Sequence, residues 1–227
     1  AGTFFIVLGL WLFFKSIKNP KYFALCALSF ALSLYTYHSA RIIVPLLGLG
    51  LLFFYRNTIF KDLKKMIFVS IFSILLIAPL VKDLLGPAGP ARARGVSIFA
   101  DQGIIERINE QRGEHGNLSG VMPNILHNKL TNYPLEFLEN WGEHFWGEFL
   151  FFGGDEVERN KVPEMGQLYL FQLPLLIIGL LAIARNSSSW GIILWWLIIA
   201  PTAAALTFQS PHALRAHSMV IPLTIIS

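Results

Sequence analysis

Long apolar runs alternate with short connectors along this chain, and the connectors rich in Lys and Arg all fall on one side of the membrane that those runs imply. Several runs reach about 17–20 residues without a charge, the length that crosses a bilayer as a helix. Hydrophobic residues make up 54% of the chain, charged residues only 14%, and mean hydropathy is +0.56, values outside the range of a soluble domain. The reading is therefore an all-α integral membrane protein. About seven transmembrane helices are expected, near 1–16, 22–38, 41–55, 65–83, 167–184, 190–208 and 211–227. The chain starts inside one apolar run and stops inside another, so the first and last helices are expected to be truncated pieces of a longer protein.

Residues 22–55 carry no glycine or proline break near Ser39, yet one helix there cannot be right. Thirty-four residues in a helix run about 51 Å, against a hydrocarbon core of about 30 Å. Both ends are also basic, with Lys15, Lys18 and Lys21 before and Arg56, Lys61, Lys64 and Lys65 after. Ends on the same side require a hairpin with its tip near His38–Arg41. The positive-inside rule puts these basic ends and Arg185 in the cytoplasm. The tip, residues 84–166 and the turn 207–211 then lie on the extracytoplasmic face of the cell membrane. Three regions follow: helices in 1–83, an extracytoplasmic loop in 84–166 and helices in 167–227. Trp190, Trp195, Trp196, Tyr22 and Tyr55 are expected near span ends or on lipid-facing surfaces.

Charge excludes a nucleic-acid partner. Residues 84–166 hold 7 Lys/Arg and 12 Asp/Glu, a net −5, while the remaining 11 and 2 give +9. Basic helix ends and an acidic loop suit a bilayer, not a phosphate backbone. The single cysteine, Cys26, has no intrachain partner. Within the loop, Ile104–Gln111 reads as a short helix and Ile125–Phe145 as a longer interfacial one, kinked or broken at Pro134.

Four constellations are candidates for chemistry. In Ser210-Pro211-His212-Ala213-Leu214-Arg215, Ser210 suits a helix N-cap and Pro211 the first helical position. His212 and Arg215 would then share a face at an anion-attracting helix start, where a cation opposes the dipole unless an anionic ligand is bound. The alternative is an arginine reaching for lipid headgroups. In Tyr35-Thr36-Tyr37-His38-Ser39-Ala40-Arg41, continued helical geometry would bring Tyr37, His38 and Arg41 together around a phosphate or sugar hydroxyl; the alternative is a hairpin tip anchored by tyrosines. In Gly153-Gly154-Asp155-Glu156-Val157-Glu158-Arg159, the glycines permit a tight turn, and Asp155 and Arg159 could pair or face a ligand; the alternative is an ordinary exposed loop. Arg92 and Arg94 form either a phosphate clamp or a headgroup contact. Metal signals are weak and no metal-site residue is assigned, because His115, His127, His144, His212 and His217 lack tight ligand spacing; no nucleotide loop is present. Asn117-Leu118-Ser119 is a glycosylation sequon.

These motifs occur in a telling order: Tyr35–Arg41 with Val44-Pro45, then Phe149-Leu150-Phe151 with Gly154-Asp155 and Arg159, then Pro163 and Gly166, Leu173-Pro174 and Gly179, and finally Pro211-His212 and Arg215. The pattern resembles the GT-C class of membrane glycosyltransferases, in its branch similar to protein O-mannosyltransferases and lipid A aminoarabinose transferase. The resemblance implies an inverting transferase that takes a sugar from a polyprenyl-phosphate carrier on the extracytoplasmic face. The acceptor would be a protein, lipid or glycan, and the lipid-linked sugar is the co-substrate, with no cofactor assigned and a metal requirement left open. It implies that the acidic catalytic base lies upstream of Ala1, so no residue here is assigned that role. Arg41 and Arg215, with His212, His38 and Tyr37, match the donor-phosphate side; Asp155, Arg159, Arg92 and Arg94 match the substrate-side loop. The competing readings are a lipid-linked-saccharide transporter, which would show repeated halves, and a non-catalytic membrane subunit.

Overall fold

The computed structural model describes residues 1–86, 89–114, 121–185 and 190–227, with side chains for all of these except 65, 89, 90, 92, 93 and 121–123. Its regular elements are helical; among the described residues the pairings of strand type are two isolated bridges, Ser97 with Thr207 and Val162 with Met165. The chain divides into two compact units. Unit 1 comprises Ala1–Gly89, Leu170–Ala203 and Arg215–Ser227; unit 2 comprises Pro90–Tyr169 and Ala204–Leu214.

Unit 1 begins with α1 (Gly2–Lys18), α2 (Tyr22–Thr36), α3 (Ala40–Ile59) and α4 (Leu63–Leu85). Buried residues recur at helical spacing on one face of each of the first three: Ile6, Leu10 and Phe13; Ala27, Ala31 and Leu34; Ile43, Leu47 and Leu51. The Trp195 ring lies so close to Gly50 that any side chain there would collide with it, and the Trp195 indole donates to the Leu46 carbonyl at 2.8 Å. Pro79, inside α4, has no N–H to offer the preceding turn. In that turn the Tyr35 hydroxyl donates to the Leu76 carbonyl at 2.7 Å, tying α2 to α4.

Among the described residues, two helical segments are long and apolar enough to cross a membrane, Ala40–Ile59 and Met66–Leu85. Only 22% and 6% of them is buried, and α4 exposes Phe68, Ile71, Ile74 and Leu75. A soluble protein's core helix passes the same length test but hides its surface, whereas these leave theirs exposed, which weakly suggests membrane association. The hairpin tip lies where the length argument puts it, since α2 ends at Thr36 and α3 begins at Ala40.

The later apolar runs are shorter helices than the sequence suggests. Helix α9 covers Gln172–Arg185, not 167–184, because the amides of Gln167 and Leu168 bond the carbonyls of Phe149 and Leu150 at 3.3 and 2.7 Å. The expected span 190–208 is divided into α10 (Gly191–Ile199) and α11 (Thr202–Ala205), since Pro201 between them cannot continue the bonding ladder. Trp196 is 1% exposed and belongs to the core, against the expectation of a lipid-facing ring. In place of a span at 211–227, residues 206–216 are non-helical, and only α12 (Val220–Ile226) follows, after a 3-10 turn at His217–Met219.

Unit 2 holds α5 (Gly89–Val96), α6 (Gln102–Glu114), α7 (Val121–Leu126) and α8 (Lys129–Glu143). Its core is Ile98, Ile104 and Ile108, against which Tyr133, Phe137 and Leu206 pack. Arg107 on α6 forms ion pairs with Glu136 and Glu139 on α8. The expected helix 125–145 is broken near residue 128, not at Pro134: the Asn128 side chain accepts from the Thr131 amide at 3.0 Å and caps a new helix. Residues 204–214, read from the sequence as the end of one span, the turn 207–211 and the start of the next span, belong to this unit. The Ile98 amide donates to Leu206 at 3.1 Å, and the Phe208 amide to Val96 at 3.2 Å.

Candidate functional site

One face of α8 carries Asn132, Glu136, Asn140 and His144, spaced four apart and therefore stacked in a line. Asn132 and Asn140 are buried, and His144 has no exposed surface. Asn140 meets the 204–214 segment. Its amide reaches the Ala205 and Thr207 carbonyls, both at 3.4 Å, and its own carbonyl accepts from Ser210 Oγ at 3.3 Å.

That same carbonyl accepts from His144 Nδ1 at 2.7 Å, while His144 Nε2 accepts from the His212 amide at 3.1 Å. A carbonyl only accepts and an amide N–H only donates, so both contacts are satisfied by one form of the ring, neutral with its proton on Nδ1. Burial pushes the ring down to about 4 from the ordinary histidine value. Between roughly pH 6.5 and 4 an unfolded His144 is protonated and the folded one is not, so the folded state loses stability as pH falls through that window. We expect the loss to approach about 3 kcal/mol. Urea unfolding at pH 7 and pH 4.5 checks it: wild type shows the slope, and His144→Gln flattens it. An equal slope in both excludes His144 as its source.

The loop after α8 brings a carboxylate to the other side of the same segment. Residues Glu148–Phe152 form a π turn, and Gly154 takes φ +70°, a left-handed backbone that favours glycine. Asp155 follows, 1% exposed. Its Oδ1 accepts from the Val157 amide at 2.8 Å, a self-made turn. Its Oδ2 accepts from the Ala213 amide at 2.7 Å and from Asn160 Nδ2 at 3.3 Å, and lies 3.3 Å from His212 Nδ1. Two consecutive amides, those of His212 and Ala213, are thus held by side chains from two different elements. This hold draws residues 210–216 into turns, and the Ser210–Pro211 peptide is cis.

The structure joins two of the sequence motifs, 153–159 and 210–215, through Asp155 and His212. It corrects two local expectations. No helix starts at Pro211, so Ser210 is not an N-cap, His212 and Arg215 do not share a helical face, and the dipole argument for an anion there falls away. Tyr37 is extended, with φ −152° and ψ 138°, so Tyr37, His38 and Arg41 are not one helical surface. Arg41 Nε instead donates to the Leu34 carbonyl at 3.2 Å, satisfying a group in the last turn of α2. Tyr37 and His38 are exposed at the hairpin tip, and Arg215 is half-buried in unit 1. Asp155 does not pair with Arg159, which is exposed on a short 3-10 turn. Arg94 is exposed on α5; the side chain of Arg92, His115 and the Asn117–Ser119 sequon lie outside the described residues. His144 is the residue that spacing arguments for metals passed over. The four-residue polar stripe of α8 was its signal. Among the described residues no group of three or more His, Cys, Asp or Glu is arranged to hold a metal ion.

No family model, no curated protein and no solved structure matches this chain.

Proposed function

We propose that the chain is part of a GT-C-like membrane glycosyltransferase that moves a sugar from a polyprenyl-phosphate donor to an acceptor on the extracytoplasmic face, within a multi-pass helical assembly of about seven spans. The observation that carries this reading is the bond from the Ala213 amide to Asp155. It links two motifs that are 58 residues apart and that belong to one ordered set on sequence grounds.

The chemistry suits the cations of that set. An acceptor hydroxyl oxygen attacks the anomeric carbon as the bond from that carbon to the phosphate oxygen breaks. The electron pair leaves with the phosphate, and the acceptor proton passes to an acidic base. Charge grows on the phosphate, so fixed guanidinium groups stabilise the transition state more than the ground state. Arg215 and Arg41 are the residues proposed to meet that phosphate, and His212, His38 and Tyr37 the polar groups proposed to support it. Asp155 is a positioning residue: it is buried and its oxygens are engaged by backbone amides.

Membranes carrying the protein, given radiolabelled polyprenyl-phosphate sugars, are expected to transfer label to an acceptor; membranes without it are not. Arg41→Lys is expected to raise the donor KM about tenfold or more, since an ammonium cannot reproduce the planar fork and loses the Nε bond to Leu34. An unchanged KM removes Arg41 from the donor site.

A further inference from the structure

A cavity of about 720 Å³ opens in unit 1 at the Lys-rich ends of α1, α3 and α4. We propose that it binds a phospholipid with an anionic head group, the phosphate on Lys18 and Lys61 and the start of an acyl chain along the helix flanks.

The lining is divided in the way such a ligand requires. Lys18, Lys61, Asp62, Asn57 and Thr58 come from the connectors and the last turns of α1 and α3. Phe23, Leu52 and Val69 come from within α2, α3 and α4. Leu52 lies before the kink of α3 at Tyr55 and Asn57–Ile59 after it, so the lining passes from polar residues at the mouth to an apolar wall within the helix. The volume falls within the range of ligand sites, roughly 300–1,000 Å³.

Charge selects the head group. Residues 15–21 and 56–65 contain Lys15, Lys18, Lys21, Arg56, Lys61, Lys64 and Lys65 against Asp62 alone. Basic pockets between membrane helices favour anionic lipid phosphates over zwitterionic ones. Lys18 in the last turn of α1 also complements that helix dipole. That role needs neither Lys61, which lies beyond the end of α3, nor a cavity beside it.

The test uses the whole chain in neutral detergent, titrated with phosphatidylglycerol or phosphatidylcholine of identical short chains and read by native mass spectrometry. Phosphatidylglycerol is expected to bind about tenfold tighter. The pair Lys18→Gln and Lys61→Gln is expected to abolish the preference. Val69→Trp, which fills the cavity, is expected to weaken both lipids with helicity unchanged by circular dichroism. Equal binding of the two lipids by wild type overturns the proposal, as does a preference that survives loss of both lysines. Full displacement of the lipid by millimolar inorganic phosphate also overturns it, since the site would then be one for a free anion.

Discussion

Arg215→Ala is expected to lower sugar transfer about 100-fold or more while the protein inserts and folds normally. On the proposed function Arg215 faces growing negative charge on the donor phosphate, and removing such a group typically costs two to three orders of magnitude in rate. Arg215 stands two residues after Ala213, whose amide is pinned to Asp155, and three after His212, whose amide is pinned to His144. Arg215→Lys is expected to recover part of the rate, because it restores the charge without the planar fork. Transfer assays on membranes with matched protein levels measure both variants. A wild-type rate in Arg215→Ala removes the phosphate assignment.

Asp155→Ala is expected to act differently, through stability. The substitution strips acceptors from the Val157 and Ala213 amides and from Asn160, and removes the carboxylate next to His212, all in a buried setting. Breaking a buried charged network by removing one partner costs about 3–5 kcal/mol. Asp155→Asn is expected to be nearly as damaging, since its NH2 group would confront N–H donors wherever it replaced an oxygen. Urea unfolding in detergent gives the stability, and limited proteolysis of residues 153–169 shows whether the loop has loosened. Were Asp155 a catalytic base, Asp155→Asn would lose rate with its unfolding midpoint unchanged. A midpoint unmoved in Asp155→Ala contradicts the positioning role.

What the sequence revealed here follows the physics of each signal. Apolar runs, basic connectors and a length limit put a hairpin tip near His38–Arg41, within a residue or two of the break between Thr36 and Ala40, because those arguments use composition and reach alone. The Gly153-Gly154 turn is also legible, since a left-handed backbone needs glycine. The segment 204–216 is not legible. The sequence reads as the end of one span, a turn at 207–211 and the start of another, with an N-cap signature at Ser210-Pro211. Tertiary bonds to His144, Asp155 and Asn140 outweigh that local preference. The same bonds explain why Asp155 and His212, far apart in sequence, meet. His144 escaped because a metal-ligand template seeks histidines near one another in sequence, while its partners are a carbonyl one turn away and an amide 68 residues on.

The measurement closest to the heart of this account is the stoichiometry of donor cleavage. Radiolabelled polyprenyl-phosphate sugar is supplied to membranes bearing either the wild type or Arg215→Ala, and free polyprenyl phosphate and labelled acceptor are counted together. The account predicts equal amounts of the two products with the wild type and near-background amounts of both with the variant. Intact donor in the wild-type reaction across a panel of hexose and pentose carriers, or equal cleavage by the two proteins, would contradict it.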